Sequence, residues 1–267
     1  MRRGRKQSGV TSRNVLATIG LLLMLASLIW LQLIPPSKES ALIGKSQRPG
    51  EISLVIIDPG HGGIDSGTAS GGILEKDLTL DVAKRVQRLV QAKGFRTLLT
   101  REEDNYKSLA TRADLANRQR DCILVSIHFD EAPRAAATGV ETYYAAHQSG
   151  RAVPFSSWLP FLRRAASDSP DILSQSLAGF IQESLVKRTQ AFNRGTRAQQ
   201  FYVIANVRHP AVLVEGGFLT NKDDVAKLTS EEYRERMAAA ICEGVLHYRD
   251  TLRNRQPALA VATSEVE

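Results

Sequence analysis

The stretch VIIDPGHGGIDSG, residues 55–67, decides the fold and raises the first question about function. It begins as an apolar run typical of a buried β-strand and ends in one histidine among glycines and aspartates. Continuously apolar runs recur at CILVSIH, residues 122–128, and at AVLVE, residues 211–215. Such strands are expected where helices cover both faces of a sheet, so the sequence predicts an α/β fold.

Short apolar runs alternate with segments of helical period from residue 51 onward. We predict strands at residues 53–57, 95–100, 122–128, 140–145, 201–205 and 211–215, and helices at residues 76–93, 106–120, 172–189 and 230–252. This alternation predicts one catalytic domain, residues 51–250, with a mostly parallel sheet. Residues 251–267 show no period, which predicts a loose C-terminal tail.

The residues before this domain have three different compositions. Residues 1–14 carry five basic residues and no acid, residues 15–34 contain no charge, and residues 35–50 are rich in Pro, Ser and Gly. Twenty residues at about 1.5 Å each cross a hydrocarbon layer of about 30 Å. The basic flank predicts a cytoplasmic tail, a transmembrane signal anchor at 15–34, a linker at 35–50, and a domain on the periplasmic or extracellular side. Export after cleavage of a signal peptide is the alternative.

Charge and cysteine content narrow the classes of partner. The chain has a formal net charge of +7, but the five basic residues of the tail account for most of it. The nearly neutral remainder argues against a nucleic-acid partner. Cys122 and Cys242 both lie in apolar segments, and we interpret them as buried thiols, with a disulfide as the alternative in an exported protein.

Four polar side chains follow strands or the glycine-rich loop, at the edge where open α/β sheets bind ligands. His61 follows the first strand by one turn, His128 and Glu215 end two others, and Glu75 begins the first helix. Two imidazoles and one carboxylate form the ligand set of a catalytic zinc with one open position. We therefore predict one zinc ion per chain, with His61, Glu75 and His128 as its ligands. Glu215 is the predicted catalytic acid that moves a proton from water to a leaving nitrogen.

Each of these residues has a structural alternative. A histidine at the end of an apolar strand is often only hydrogen-bonded, and Glu75 could merely complement the helix dipole. Glu215 follows four apolar residues, where a carboxylate loses hydration unless it has partners or a task. Asp130 is predicted to orient His128 or to contact substrate. His209 is the spare candidate for a metal ligand.

Several separate motifs resemble those of one enzyme family, the zinc-dependent N-acetylmuramoyl-L-alanine amidases of the amidase-3 type, which act on peptidoglycan. The matching segments, in the order of the family, are IIDPGHGGIDSG at 56–67, LEKDLTLDVAKRV at 74–86, TRADLANR at 111–118, VSIHFD at 125–130, GVETYY at 139–144, NRGTRAQQFYVI at 193–204 and PAVLVEGGFLTNKDD at 210–224. The resemblance covers about residues 51–250.

The resemblance implies a twisted six-stranded sheet, zinc held by His61, Glu75 and His128, and Glu215 as the catalytic acid. The implied reaction is hydrolysis of the amide between the lactyl group of N-acetylmuramic acid and the L-alanine of the stem peptide. Asn193 and Arg194 match a segment near the substrate groove of the family.

The resemblance also raises the question of regulation. Some relatives carry a helix with an acid that blocks the zinc. The long loop at residues 146–171 occupies the corresponding place, so Asp168 or Asp171 could play that part. A protein activator is an open possibility.

Two other functions remain open at this stage. A non-hydrolytic module that binds the cell wall would not require a buried acid such as Glu215. A zinc peptidase that cuts another amide of the same polymer would use the same residues, because metal chemistry does not choose between carbonyl groups.

Overall fold

The computed structural model describes residues 23–24, 52–148 and 171–264, with side chains up to residue 254. The chain divides into two units, residues 1–48 and residues 49–267. Of the predicted anchor, only Leu23 and Met24 are described, and both are helical and exposed. The predicted tail and linker lie outside the described residues. No helix within the described ranges has the length and hydropathy needed to cross a membrane.

The second unit alternates strands and helices. Its described elements are β1 Leu54–Pro59, β2 Ala69–Ser70, β3 Ile73–Leu74, α1 Glu75–Ala92, β4 Arg96–Leu99, α2 Leu109–Asn117, β5 Cys122–Asp130, β6 Val140–Tyr144, α3 Ile172–Thr189, β7 Asn193–Ala198, α4 Tyr202–Ala205, β8 Ala211–Phe218, α5 Lys222–Leu228 and α6 Glu231–Ser264.

Six strands form one sheet in the order β4-β1-β5-β8-β6-β7. Neighbouring strands are parallel except β6 and β8, which are antiparallel. The predicted α/β fold with a mostly parallel six-stranded sheet is thus confirmed. Because β1, β5 and β8 run parallel at the centre, their carboxyl ends meet at one edge of the sheet.

The central strands are apolar on both faces because each face packs on helices. Val55 and Ile57 belong to a core cluster beneath α1, α3 and α6, whereas Leu54 and Ile56 belong to a second cluster beneath α2 and α4. Burying an isoleucine side chain contributes about 1.5–3 kcal/mol, so both faces stabilise the sheet. The cysteines are free and buried on opposite faces, Cys242 in the first cluster and Cys122 in the second.

One predicted strand is wrong. Residues 202–205 form the short helix α4, with Phe201 as its N-cap, and the strand of this region is β7, which lies upstream and is polar in composition. Val203, Ile204 and Ala205 are buried in the second cluster, so their apolar character reflects packing of a helical turn. An edge strand such as β7 has one solvent-facing side and needs no apolar run.

Two further elements differ from the prediction. The β2–β3 hairpin was not predicted, although its Gly71-Gly72 turn, with φ of 57° and 84°, is a known hairpin signal. Helix α6 continues to Ser264, beyond its predicted end at Leu252. The prediction of a loose tail is therefore wrong for the residues of this extension. The sequence does not predict this extension, because it contains Pro257 and proline is strongly disfavoured in a helix interior.

Candidate metal centre

The loop that carries His61 is held by a buried ion pair. His61 has a φ of 58°, a left-handed conformation uncommon outside glycine. The Arg112 guanidinium donates to the carbonyls of His61 and Pro59, each at 2.6 Å, and to Asp58 Oδ1 at 2.7 Å. Three hydrogen bonds from the Arg112 side chain therefore stabilise the turn that orients the His61 imidazole.

Asp58 anchors this turn through its side-chain hydrogen bonds. It is buried and accepts hydrogen bonds from Ser126 Oγ at 2.7 Å and from Thr100 Oγ1. Burial alone would raise its pKa, but the Arg112 charge and these hydrogen bonds hold the pKa of Asp58 below its usual value. Asp58 is thus a structural turn residue, and the pairing of Asp58 with Arg112 was not found from the sequence.

Glu75, the first residue of α1, lies between the two histidines. Its Oε1 is 3.0 Å from His61 Nε2 and 3.0 Å from His128 Nδ1. Backbone amides of Phe129 and Thr68 donate to its two oxygens at 3.1 and 2.9 Å. Burial would raise the pKa of Glu75, but the hydrogen bonds from both imidazoles outweigh burial and hold it below its ordinary value. This carboxylate is ionised and locked in orientation.

The three predicted ligands therefore converge. One ligand atom from each of His61, Glu75 and His128 lies within 4.8 Å of the others. With zinc–ligand distances of about 2.0–2.1 Å, two ligand atoms of a tetrahedral site lie about 3.3 Å apart. The two separations of 3.0 Å in this cluster are close to that value. The donor set and its spacing fit a small divalent cation.

Asp65 fixes the His61 ring from its other side. Its Oδ1 lies 2.9 Å from His61 Nδ1 and also accepts the Gly67 amide at 3.1 Å. A carboxylate on the far nitrogen of a metal-binding histidine sets its tautomer and orientation. Asp65 therefore occupies the position of an outer residue that orients His61.

We expect Asp65→Asn to weaken zinc binding by about 10–100-fold, because the amide orients the imidazole less strongly than the carboxylate. Competition with a chelating dye measures this change. Asp77→Asn, at an exposed position in the first turn of α1, is the matched control. Equal zinc affinity in the Asp65 variant and the parent would contradict the assigned role.

Glu215 lies in β8 directly beside His128 in β5, with their Cα atoms paired across the strands. It is buried, and with His61, Glu75 and His128 it lines a cavity of about 310 Å³. Within the described part of the chain, its Oε2 atom has no hydrogen-bond partner. Burial, followed by the charges of Asp130, Glu75 and Glu141, raises the pKa of Glu215 well above its ordinary value.

This raised pKa makes the stability of the metal-free protein depend on pH. Folded Glu215 holds its proton more tightly than the unfolded chain does, so its stabilising effect is present below about pH 4.5 and is lost as the pH rises through the raised pKa. We expect the unfolding free energy of Glu215→Gln to fall less than that of the parent between about pH 5 and 8. Denaturant melts of both metal-free proteins measure this, and parallel curves would contradict it.

The charges around the cavity also fit a cation. Among the described residues that line it are four acids, Glu75, Asp130, Glu131 and Glu215, and no Lys or Arg. Like charges at this spacing repel, and a divalent cation at the three ligand atoms would relieve that repulsion. The Oε2 atom of Glu215, which has no hydrogen-bond partner among the described residues, would also be stabilised by a positively polarised partner.

The weaker predictions have different outcomes. Asp130 lines the cavity. Its Oδ1 accepts a hydrogen bond from the Glu131 amide at 2.8 Å, and burial raises the pKa of Asp130. Arg194 lies over the Phe218 ring at 4.8 Å. The Asn193 side chain accepts from Gln182 of α3 at 2.7 Å and does not line this cavity, and its predicted substrate contact stays a prediction.

One buried acid near the site was missed. Glu141 in β6 is paired by register with Glu215 and accepts from Tyr143 at 2.9 Å and Arg194 at 3.4 Å, with Arg197 as a further ion-pair partner. The signal was present, because Glu141 stands within an apolar strand pattern just as Glu215 does. Its charge contributes to the raised pKa of Glu215.

Two other candidates lie at the opposite edge of the sheet. His209 precedes β8, so it is near the start of the strand, whereas Glu215 is near its end. Asp171 caps α3 through the Ser174 amide at 3.2 Å, and Ser174 Oγ accepts from Ala211 at the start of β8. Asp171 therefore cannot block the metal centre in this conformation, and Asp168 lies outside the described residues.

The backbone at Gly60 is pressed against the second histidine. A Cβ at Gly60 would lie 2.3 Å from His128 Cε1, so we expect Gly60→Ala to displace this imidazole and weaken zinc binding by about tenfold or more.

Gly179→Ala, in the interior of α3 where an added methyl group would meet no atom within 4 Å, should instead stabilise the protein by about 0.5–1 kcal/mol. Zinc competition and thermal melts test both, and unaltered zinc affinity for Gly60→Ala would disprove the steric argument.

Known proteins share this sequence and fold. The family model described as N-acetylmuramoyl-L-alanine amidase, of the amidase-3 type, matches residues 55–247. YqiI of Bacillus subtilis, an uncharacterized protein, is 35% identical over 206 residues, which cover 77% of this chain and 89% of YqiI. The N-acetylmuramoyl-L-alanine amidase LytC of the same organism is 32% identical, over 80% of this chain and 39% of LytC.

A solved structure supports the same relationship. The crystal structure of N-acetylmuramoyl-L-alanine amidase from Clostridium difficile 630 matches with a TM-score of 0.62 and 34% identity, over 75% of this chain and 98% of that one. The sequence match extends across every strand of the central sheet and all four residues of the site. The chain therefore belongs to the amidase-3 family of N-acetylmuramoyl-L-alanine amidases, a family that is generally zinc-dependent.

Proposed function

We propose that this protein is a zinc-dependent N-acetylmuramoyl-L-alanine amidase that hydrolyses the amide between N-acetylmuramic acid and the L-alanine of the stem peptide in peptidoglycan. The observation that carries the proposal is the convergence of His61, Glu75 and His128 beside the buried Glu215. Family membership supports the same substrate. The cavity of about 310 Å³ that these four residues line gives an amide room to approach.

The residues divide the chemistry between them. His61, Glu75 and His128 would hold one zinc ion, which would supply polarisation of the amide carbonyl and activation of water. Glu215 accepts a proton from the attacking water and donates it to the nitrogen of L-alanine. A carbon–oxygen bond forms, the carbon–nitrogen bond breaks, and the products are a lactyl carboxylate and a peptide with a free amino terminus. Asp65 holds the His61 imidazole in place through its far nitrogen, Nδ1.

Analysis of cleavage products tests this assignment. The purified full chain, loaded with zinc, is incubated with peptidoglycan, and the new amino termini are identified by mass spectrometry. The proposal expects new L-alanine amino termini and intact peptides. New ends within the peptide would establish a zinc peptidase instead, and binding to the polymer without new ends would establish a wall-binding module.

We also propose that the enzyme acts outside the cytoplasm while attached to the membrane through residues 15–34. The support is the run of twenty uncharged residues after a basic tail, together with a substrate that lies outside the cell membrane. Fractionation of cells that produce the full chain tests the anchor. Recovery in the carbonate-washed membrane pellet supports it, whereas a shortened protein in the soluble fraction would favour signal cleavage.

A further inference from the structure

The two histidines separate the acidic cavity from a second cleft. This cleft of about 70 Å³ is lined by His61 and His128 together with Asp58, Asp65, Tyr106, Lys107, Leu109 and Arg112. Among the described residues, only His61 and His128 line both spaces. Both imidazoles therefore border two spaces, the acidic cavity and the second cleft.

The rim of the second cleft is apolar and exposed. The exposed fractions are 53% for Tyr106, 53% for Leu109 and 92% for Ile64, which belongs to the adjoining His61 loop. Three of the eight large apolar side chains exposed in the described ranges thus gather beside the metal centre. We call Ile64, Tyr106 and Leu109 the apolar rim. Exposed apolar groups that cluster beside a site are typical of ligand contact.

The apolar rim is held rigidly. The Gly63 amide donates to Asp104 Oδ1 at 2.7 Å, and Lys76 Nζ bridges Asp104 and the Gly63 carbonyl at 2.7 and 3.0 Å. A Cβ at Gly63 would lie 2.6 Å from the Tyr106 amide nitrogen, so the two loops are in direct contact. A preformed surface of this kind binds a ligand without the cost of ordering a loop.

The position of Glu215 sets the direction of the substrate. Glu215 lines the acidic cavity and not the second cleft, and it delivers a proton to the leaving nitrogen. That nitrogen belongs to L-alanine, so the stem peptide extends through the acidic cavity. The lactyl group and its sugar extend from the carbonyl carbon in the other direction, and the second cleft is the space beside the two histidines that the peptide does not take.

The charge of the second cleft suits a neutral sugar. Asp58 and Arg112 neutralise each other at 2.7 Å, and the remaining charged residues are one acid, Asp65, and one base, Lys107. A pyranose ring has one apolar face of C–H groups and polar edges. An aromatic ring beside polar groups complements both features.

We propose that the apolar rim binds the sugar ring of N-acetylmuramic acid, with Tyr106 against its apolar face. This inference rests on the proposed function, because the direction of the substrate follows from the role of Glu215. It adds a glycan-recognition surface to the metal centre, and it makes the sugar a determinant of KM.

Two substrates of different length test the proposal. One is an N-acetylmuramoyl-peptide and the other is the same peptide carrying only the lactyl group. We expect Tyr106→Ala to raise KM about tenfold for the muramoyl-peptide, to leave kcat within about twofold, and to leave the lactyl-peptide unchanged. Tyr106→Phe should restore the parental KM because it keeps the ring. Tyr202→Ala, at a tyrosine exposed in α4, is the matched control.

A binding measurement separates this proposal from the proposed function. The Glu215→Gln protein, loaded with zinc, is titrated with peptide-free glycan. Two double variants, in which Glu215→Gln is combined with Leu109→Ala or with Tyr106→Ala, are titrated in the same way. Weaker glycan binding in both double variants supports the apolar rim. Unchanged glycan binding, or an equal loss of turnover on both peptide substrates, would overturn it. If the parent enzyme cleaves neither peptide substrate, the proposed function is wrong. The glycan titration still tests whether the apolar rim binds the sugar.

Discussion

Glu215→Gln is expected to lower kcat for peptidoglycan by about 10³-fold without loss of zinc, because one positioned acid–base group contributes about 10²–10⁴-fold. Glutamine has nearly the same volume but can neither accept the proton of water nor donate one to the leaving nitrogen. The three proposed metal ligands lie on β5, α1 and the loop after β1, so the substitution in β8 leaves them in place. Steady-state kinetics and metal analysis of the same preparation provide the two readouts.

The control for this variant is Glu183→Gln. Glu183 is an exposed glutamate of α3, so its loss changes the same charge far from the acidic cavity. It should retain the activity and zinc content of the parent. An active Glu215→Gln enzyme would remove Glu215 from the mechanism. A zinc-free Glu215→Gln protein would mean that Glu215 is a ligand and not an acid–base group.

His128→Ala is expected to abolish both metal binding and hydrolysis. Two ligands remain, and Glu75 loses one of the two imidazoles that hold its carboxylate. Since loss of an outer partner already weakens metal binding by about 10–100-fold, loss of a ligand should exceed about 100-fold. The measurement is zinc stoichiometry by elemental analysis after dialysis against a weak chelator, with activity recorded in parallel.

His147→Ala provides the comparison for this loss. His147 is exposed just after β6, and it lines neither the acidic cavity nor the second cleft. Its replacement should leave one zinc per chain and full activity. Retention of stoichiometric zinc by His128→Ala would show that another side chain completes the site and would disprove the proposed ligand set.

The sequence was informative wherever a residue's environment follows from its neighbours in the chain. Apolar runs predicted β1, β5 and β8, because strands covered on both faces need apolar side chains throughout. The same reasoning placed His61, His128 and Glu215 at one edge of the sheet, since parallel strands end together. It was wrong for residues 201–205, because an apolar segment can be buried as a helical turn as well as a strand.

The sequence could not reveal partners that are distant along the chain. Arg112 lies fifty-four residues from Asp58, yet their ion pair fixes the turn at His61. Glu141 acts on Glu215 only because β6 runs antiparallel to β8 and places the two side by side. Asn193 matched a motif near the groove, but the register of β7 directs its side chain to Gln182.

By itself, the sequence determined the class of fold and the family, and it singled out the four residues that we propose to be chemically active, because strand composition and motif order are local properties of the chain. Only the tertiary structure decided the spacing of the ligand atoms, the orphaned oxygen of Glu215 and the existence of two clefts on either side of the histidines. Those features arise from strand register and from buried ion pairs between distant segments. They depend on distances across the sheet, which no local pattern of residues encodes.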